Sequence, residues 1–140
     1  FFVGQGELYD TLKRQISDKN LTKEIYLLGL RKDIPQLMAG ADVLLMPSLY
    51  EGFPVVLVES QSVGVPALIS DMISSEVDMN VNLIEFESLN SGVSNWVDKL
   101  LKLKSKEQLA LKLRLQKIAE QGFDIHSSNK ILMNLYNSMK

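Results

Sequence analysis

Five short, uninterrupted apolar runs constrain the fold of this chain more than any other feature: Phe1-Phe2-Val3, Ile25-Tyr26-Leu27-Leu28, Val43-Leu44-Leu45-Met46, Ala67-Leu68-Ile69 and Leu83-Ile84. They are continuous rather than alternating, as strands must be when helices cover both faces of a parallel sheet. Between the first two runs, Leu8, Leu12 and Ile16 recur every four residues and predict a helix over Glu7 to Lys19 with one core-facing stripe. Ile34, Leu37 and Met38 predict a shorter helix. Strand runs alternating with helical stripes imply an α/β fold, a parallel sheet with helices on both faces. Past Asn90 the pattern is helical: Val93, Trp96, Val97, Leu100 and Leu101, then Leu109 to Ile118, then Ile131, Leu132, Leu135, Tyr136 and Met139, with Gln121-Gly122 as a helix stop. This is a helical C-terminal tail.

With 140 residues, 46% of them hydrophobic, the chain can build a single core and one domain spanning 1–140. A net charge of -2 and the lack of an Arg/Lys cluster exclude a general nucleic-acid surface and point to a small anion held locally. The absence of cysteine excludes disulfides and Cys-ligated zinc, and fits a reducing compartment. No apolar run reaches transmembrane length and no signal peptide is visible, so a cytoplasmic location is expected.

In open α/β sheets ligands sit beyond the carboxyl ends of the strands. The loops expected there are Gly4-Gln5-Gly6, Gly29-Leu30-Arg31, Pro47 through Pro54 and Ser70-Asp71. The third carries two carboxylates, Glu51 and Glu59, eight positions apart around a Gly52-Phe53-Pro54 turn. Gly52 lets backbone approach a ligand closely, and Pro54, having no N–H to leave unpaired, suits the first position of a helix. The unpaired amides of Val55, Val56 and Leu57 would then face whatever lies in front, an arrangement that attracts phosphate. Glu59 would lie roughly 7 to 8 Å along the axis. Because carboxylates repel phosphate, both acids read best as acceptors for neutral hydroxyls at the two ends of a diphosphate-bridged ligand. A carboxylate between Val58 and Ser60 near a core would need such a partner, although exposure on the helix surface explains Glu59 equally simply. Glu51 reads alternatively as an exposed turn residue or as one acid of a glycosidase pair, but no second suitably embedded acid lies near these loops.

The run Pro47-Ser48-Leu49-Tyr50-Glu51-Gly52-Phe53-Pro54, followed by Glu59 and Gly64-Val65-Pro66, resembles the E-x7-E signature of the retaining family-four glycosyltransferases, in particular those of bacterial polysaccharide assembly. Upstream, Val3-Gly4-Gln5-Gly6-Glu7, Leu28-Gly29-Leu30-Arg31-Lys32-Asp33-Ile34 and Ala41-Asp42-Val43-Leu44-Leu45-Met46-Pro47-Ser48 follow in the family's order. The resemblance covers nearly the whole chain, most weakly after Asn90. It implies the Rossmann-like C-terminal, donor-binding half of a two-domain GT-B enzyme. The acceptor domain and the first strand-helix of this domain, with its diphosphate-binding basic residues, would then lie outside the chain, and the fragment would bind donor weakly and turn over nothing.

On this resemblance the donor is a nucleoside diphosphate sugar, a UDP-sugar foremost, and the acceptor is a sugar or lipid-linked sugar bound by the other domain. Glu51 would position the transferred sugar as the catalytic residue and Glu59 would take the ribose hydroxyls. The amides of Gly52, Phe53, Pro54's helix start, Val55, Val56 and Leu57 would hold the diphosphate and sugar; the main chain of Leu30 and Arg31 would hold the base; and the Gly4/Gly6 turn would approach the donor. No cofactor and no essential metal are implied. The setting is the cytoplasm, with peripheral membrane association of the full-length protein at the inner face of the membrane left open. The family's C-terminal helix often packs back on the other domain, so its Ile131, Leu135 and Met139 stripe would be open, inviting dimerisation.

Other residues read plainly. Gly4 and Gly6 have Tyr9 where the dinucleotide fingerprint needs glycine, which argues against NAD. His126, the single histidine, sits beside Ser127 and Ser128 at an expected helix start, a surface or capping position. No Asp-x-Asp motif or His/carboxylate cluster suggests a metal. Trp96 reads as a core residue, and the lysines from Lys99 to Lys106 as the solvated side of an amphipathic helix. Asp71-Met72-Ile73-Ser74-Ser75-Glu76 departs from the Gly-Gly pair of many relatives, which puts contacts from that loop in doubt. Two other functions compete: a sugar-nucleotide epimerase of the same fold, whose catalytic acids and histidines have no place here, and a receiver-like α/β module, whose acidic cluster after the first strand is missing.

Overall fold

The computed structural model describes residues 1–139. It divides into two compact units, Phe1–Ile34 and Pro35–Lys140.

In the first unit, helix α1 (Tyr9–Asp18) buries Ile16 and half-buries Leu12. Leu8, expected to extend this stripe, is instead the residue preceding the helix and is exposed. The runs at Phe1 and Ile25 do not form full strands. They meet at one parallel bridge, Phe2 with Leu27, flanked by N–H donations from Phe2 to the Tyr26 carbonyl, Leu28 to Phe2 and Gly4 to Gly29, each 2.8 Å. The pairing stops where Gly4 (φ +132°) and Gly29 (φ +63°) leave the extended conformation.

Helix α2 (Ile34–Ala39) begins at the boundary and buries Met38. Beyond it, β1 (Leu44–Met46), β2 (Ala67–Ser70) and β3 (Ile84–Glu87) form a parallel sheet in the order β1-β2-β3. β2 is central and buried throughout, which is why Ala67-Leu68-Ile69 is the cleanest apolar run. β3 continues three residues beyond the expected run: Ile84 and Phe86 face one side while Glu85 and Glu87 face the other, the alternation of a strand at a sheet edge.

The two sheet faces carry different helices. Helix α3 (Val55–Val63) places Leu57 against Ala67, Ile69 and Ile84, with Leu44, Met46 and Phe86 packed alongside. On the opposite face Leu68 and Glu85 are in register, and helix α4 (Val93–Lys104) covers it, burying Leu103. The lysines of α4 are not merely solvated. Lys99 Nζ lies 2.9 Å from Glu87 and donates to the Phe86 carbonyl at 2.6 Å, while Lys106, just past the helix, reaches Glu85 at 3.8 Å. The Glu87 hydrogen bond holds the Lys99 ammonium above its ordinary pKa. Of the apolar positions expected to face inward on α4, Val93, Val97 and Leu101 are exposed, and Trp96 is half-buried with its Nε1 donating to the Ser88 carbonyl at 3.0 Å.

Helix α5 (Leu111–Glu120) sends Ile118 into a second cluster with Val58, Met79, Val81 and Leu83. Helix α6 (Ile125–Ser138) buries none of its residues, and Ile131, Leu135 and Met139 are open. Among the described residues no helix is long and apolar enough to cross a membrane.

Candidate functional site

The parallel register of the three strands brings their carboxyl ends to one edge of the sheet, so the loops after Met46, Ser70 and Glu87 share that edge. The Asp71 N–H donates to the Glu87 carbonyl at 3.0 Å, tying the second of these loops to the third strand. The first loop runs into α3, and its shape depends on Glu51, which is half-buried and accepts from Ser48 Oγ at 2.9 Å. Gly52 and Phe53 follow at the surface, and a side chain at Gly52 would meet no atom within 4 Å. The main chain at this turn is therefore open to a ligand.

One local expectation is corrected. Pro54 is not the first helical residue but the N-cap, at φ -75° and ψ 95°, and α3 starts at Val55. The physical reason is visible in the hydrogen bonds: the Leu57 N–H turns back to the Pro54 carbonyl at 3.0 Å. That bond removes Leu57 from the set of three free amides. Val55 and Val56 have no partner for their N–H groups among the described residues, as expected of the first positions of a helix. At the tip Val55 is 56% exposed and Val56 half-buried, while Pro54 itself is buried.

Glu59 lies one turn past Val55 on the same face, about 6 Å along the axis at 1.5 Å per residue. It is exposed and makes no ion pair among the described residues, so the expectation of a carboxylate near the core does not hold. Leu57, Val58, Ser60 and Gln61 point inward instead. The order of polar and apolar residues around α3 thus leaves a narrow open stripe of Val55 and Glu59 leading back to the Gly52 turn.

In the first unit, the Gly4 N–H bonded to the Gly29 carbonyl sets the Gly4-Gln5-Gly6 turn beside the Leu30-Arg31 segment. Gly4 and Gly6 have open space where a side chain would be, and Leu30 is exposed. A cleft of about 330 Å³ lies along this turn, lined by Gly4, Gln5, Gly6 and Tyr9 among others. The Arg31 side chain is committed to Asp33 through Nε at 2.8 Å and Nη2 at 2.6 Å, and this hydrogen bond holds the Asp33 carboxyl below its usual range. Leu30 and the main chain of Arg31 are left to meet a ligand.

Two features escaped the sequence reading. The ring of Phe53 stacks on that of Phe123, with centroids 5.2 Å apart and planes 8° apart. Gln61, fully buried, joins α3 to the segment after Ser75. Neither carries a spacing signal, because each links distant parts of the chain. Asp124, not His126, caps α6, and His126 lies exposed in its first turn.

The model of the glycosyl transferases group 1 family matches residues 1–121. The chain belongs to this family. It is a glycosyltransferase group 1 domain whose fold is that of the GT-B glycosyltransferases. It is 34% identical over 135 residues to EpsF of Bacillus subtilis, a glycosyltransferase by name, covering 96% of this chain and 35% of that protein. It is 38% identical over 115 residues to the UDP-Gal:alpha-D-GlcNAc-diphosphoundecaprenol alpha-1,3-galactosyltransferase of Escherichia coli, covering 74% of this chain and 29% of that enzyme. The chain thus spans about a third of the length of these curated relatives. The crystal structure of Anabaena Alr3699/HepE in complex with UDP superposes with a TM-score of 0.73 at 26% identity, over 97% of this chain and 40% of that one. The relatives of this glycosyltransferase domain include the amylovoran biosynthesis glycosyltransferase AmsK of Erwinia amylovora.

Proposed function

We propose that the domain binds a nucleoside diphosphate sugar, foremost a UDP-sugar, as the donor half of a retaining hexosyltransferase acting in polysaccharide or glycoconjugate synthesis. The observation that carries this reading is the open N-terminus of α3, where the unpartnered Val55 and Val56 amides lie between Glu51 and Glu59. Solvent-facing amides at a helix start favour a doubly charged diphosphate. Glu51, oriented by Ser48, accepts from hydroxyls of the transferred sugar, and Glu59 accepts from the ribose. The main-chain amides of Gly52 and Phe53 serve the donor sugar and its phosphate, Leu30 and Arg31 contribute main-chain groups to the base, and the Gly4/Gly6 turn supplies close backbone approach.

As the glycosidic bond to the diphosphate breaks, negative charge accumulates on the departing oxygen. Amides fixed in advance stabilise that charge more than they stabilise the ground state, which is the contribution to rate. No essential metal enters this reading; helix amides and basic side chains outside this chain meet the diphosphate charge. UDP in the Anabaena complex and the UDP-sugar named for the Escherichia coli relative support the choice of donor. The acceptor, a sugar or lipid-linked sugar, is assigned to a separate domain, so the domain alone transfers nothing. The setting in this reading is the cytoplasm.

Calorimetric titration with UDP, GDP and ADP tests this directly. UDP should bind, and both Glu59→Ala and Pro54→Gly should weaken it by roughly tenfold or more, equivalent to about 1.4 kcal/mol. Unaltered binding in both variants, or sugar transfer by the isolated domain, would contradict the reading.

A further inference from the structure

We propose that Phe123, at the junction of α5 and α6, is a positioning residue for the donor loop: its ring holds Phe53 and through it the Gly52-Phe53 main chain and Glu51. This rests on the donor reading given above, which assigns no role to the junction.

Phe123 is itself fixed from both sides. Before it, α5 ends with the Gly122 N–H donating to the Ala119 carbonyl at 2.9 Å and the Phe123 N–H reaching Ile118 at 3.2 Å, with Gly122 at φ +87°. This paired 5→2 and 6→1 closure is a Schellman motif, which only a residue comfortable at positive φ allows. After it, the Asp124 carboxylate accepts from the Ser127 N–H and Oγ, both at 2.9 Å, and Ser128 Oγ donates back to the Gly122 carbonyl at 2.6 Å. The backbone of Phe123 therefore has little freedom.

Phe53 is held differently. Neither its amide nor that of Gly52 makes a hydrogen bond among the described residues, and open space surrounds Gly52. Ser48 holds the Glu51 end of this turn, and the nearly parallel stack on Phe123 restrains its Phe53 end. The restraint closes a ring of contacts, because Ile118, which anchors the Phe123 amide, packs against Val58 of α3. The helix whose first amides face the donor and the loop that precedes it are thus referenced to the same side chain cluster. Phe53 is 38% and Phe123 42% exposed, so truncating Phe123 opens no core cavity. Its consequence falls on the order of the loop: a loop freed in the unbound protein must be ordered again when donor binds, and the amides lose their alignment to the leaving diphosphate.

The test is calorimetric titration of UDP, with GDP and ADP in parallel, into the full-length natural protein and its Phe123→Ala, Phe123→Tyr and Phe53→Ala variants, with thermal midpoints alongside. Phe123→Ala should weaken nucleotide binding roughly three- to tenfold at little cost in midpoint, and Phe123→Tyr, which keeps the ring, should restore it. In the Phe53→Ala background the further change Phe123→Ala should do nothing, since its effect passes through Phe53. Native affinity in Phe123→Ala, no rescue by tyrosine, or an equal loss in both backgrounds would overturn the proposal. If Glu59→Ala and Pro54→Gly weaken binding while Phe123→Ala does not, only this coupling fails. If the wild-type protein binds none of the three nucleotides, the donor reading fails and takes the coupling with it.

Discussion

Gln61 Nε2 donates to the carbonyl of Val77 at 2.8 Å across the interior, and its Oε1 accepts from the Met79 N–H at 2.9 Å. The same Nε2 also donates to Leu57 within the helix at 2.8 Å. One buried amide therefore fastens α3 to the end of the short 3-10 turn (Ser75–Val77) that follows the second strand. Replacing Gln61 by Leu keeps the volume but leaves the Val77 carbonyl and the Met79 N–H without this partner at a buried site. The expected loss is about 2 to 3 kcal/mol, read from the urea midpoint. A neutral result would mean that water takes over these groups.

Gly64 ends α3 at φ +91°, and a β-carbon there would come within 2.5 Å of Gln108 Oε1 and 2.8 Å of Arg114 Nη2. Arg114 cannot easily withdraw, being buried and bound through Nη1 to the Leu109 carbonyl at 2.6 Å. Gly64→Ala should therefore cost about 1 to 3 kcal/mol, combining backbone strain with displacement of α5. Thermal denaturation of the variant checks this, with Gly92→Ala as a control at positive φ in open space.

Asp124 has a carboxyl held below its ordinary pKa by the Ser127 N–H and then the Ser127 hydroxyl. Since the folded value is lowered, the cap's contribution is complete above the unfolded pKa of about 3.9 and disappears as pH falls through the folded value. As pH falls through the unfolded pKa and on through the lower folded value, the wild-type midpoint should fall relative to Asp124→Asn, because asparagine caps a helix without titrating. Parallel pH profiles for the two proteins would exclude Asp124 as the cap.

The lysines of α4 should differ in weight. Lys99 is bound to Glu87, Glu85 and the Phe86 carbonyl at the sheet edge, whereas Lys104 and Asp42 form a pair whose side chains are 61% and 70% exposed. Lys99→Ala should lower the thermal midpoint clearly. Lys104→Ala should stay within about 0.5 kcal/mol of wild type. Equal effects would show that the edge contacts add nothing to a surface pair.

Much of the site was legible because its elements are local. The turn at Gly52, the helix after Pro54 and the Glu51 to Glu59 spacing lie within one stretch of chain, where residue type and helical rise set the geometry. The shift of the helix start to Val55, and with it the loss of the free Leu57 amide, was not legible: proline fits both the N-cap and the first helical position. The runs at Phe1 and Ile25 read as strands like the others, yet two glycines at positive φ end their pairing after one bridge. On α4 the apolar period was real but divided: Trp96 and Leu100 are half-buried and Leu103 is buried, while Val93, Val97 and Leu101 are exposed and Lys99 reaches Glu85 and Glu87 of the edge strand.

The amino-acid order by itself determined the α/β layering, the place of the candidate site at the strand ends and the family to which the chain belongs, since apolar period, turn chemistry and motif spacing act between neighbours in sequence. Tertiary structure alone decided that Glu59 is exposed rather than set against the core, that Gln61 bolts α3 to the Val77 segment, and that Phe123 lies on Phe53. Those relationships join residues far apart along the chain, and only the packing of the whole core fixes which distant surfaces meet.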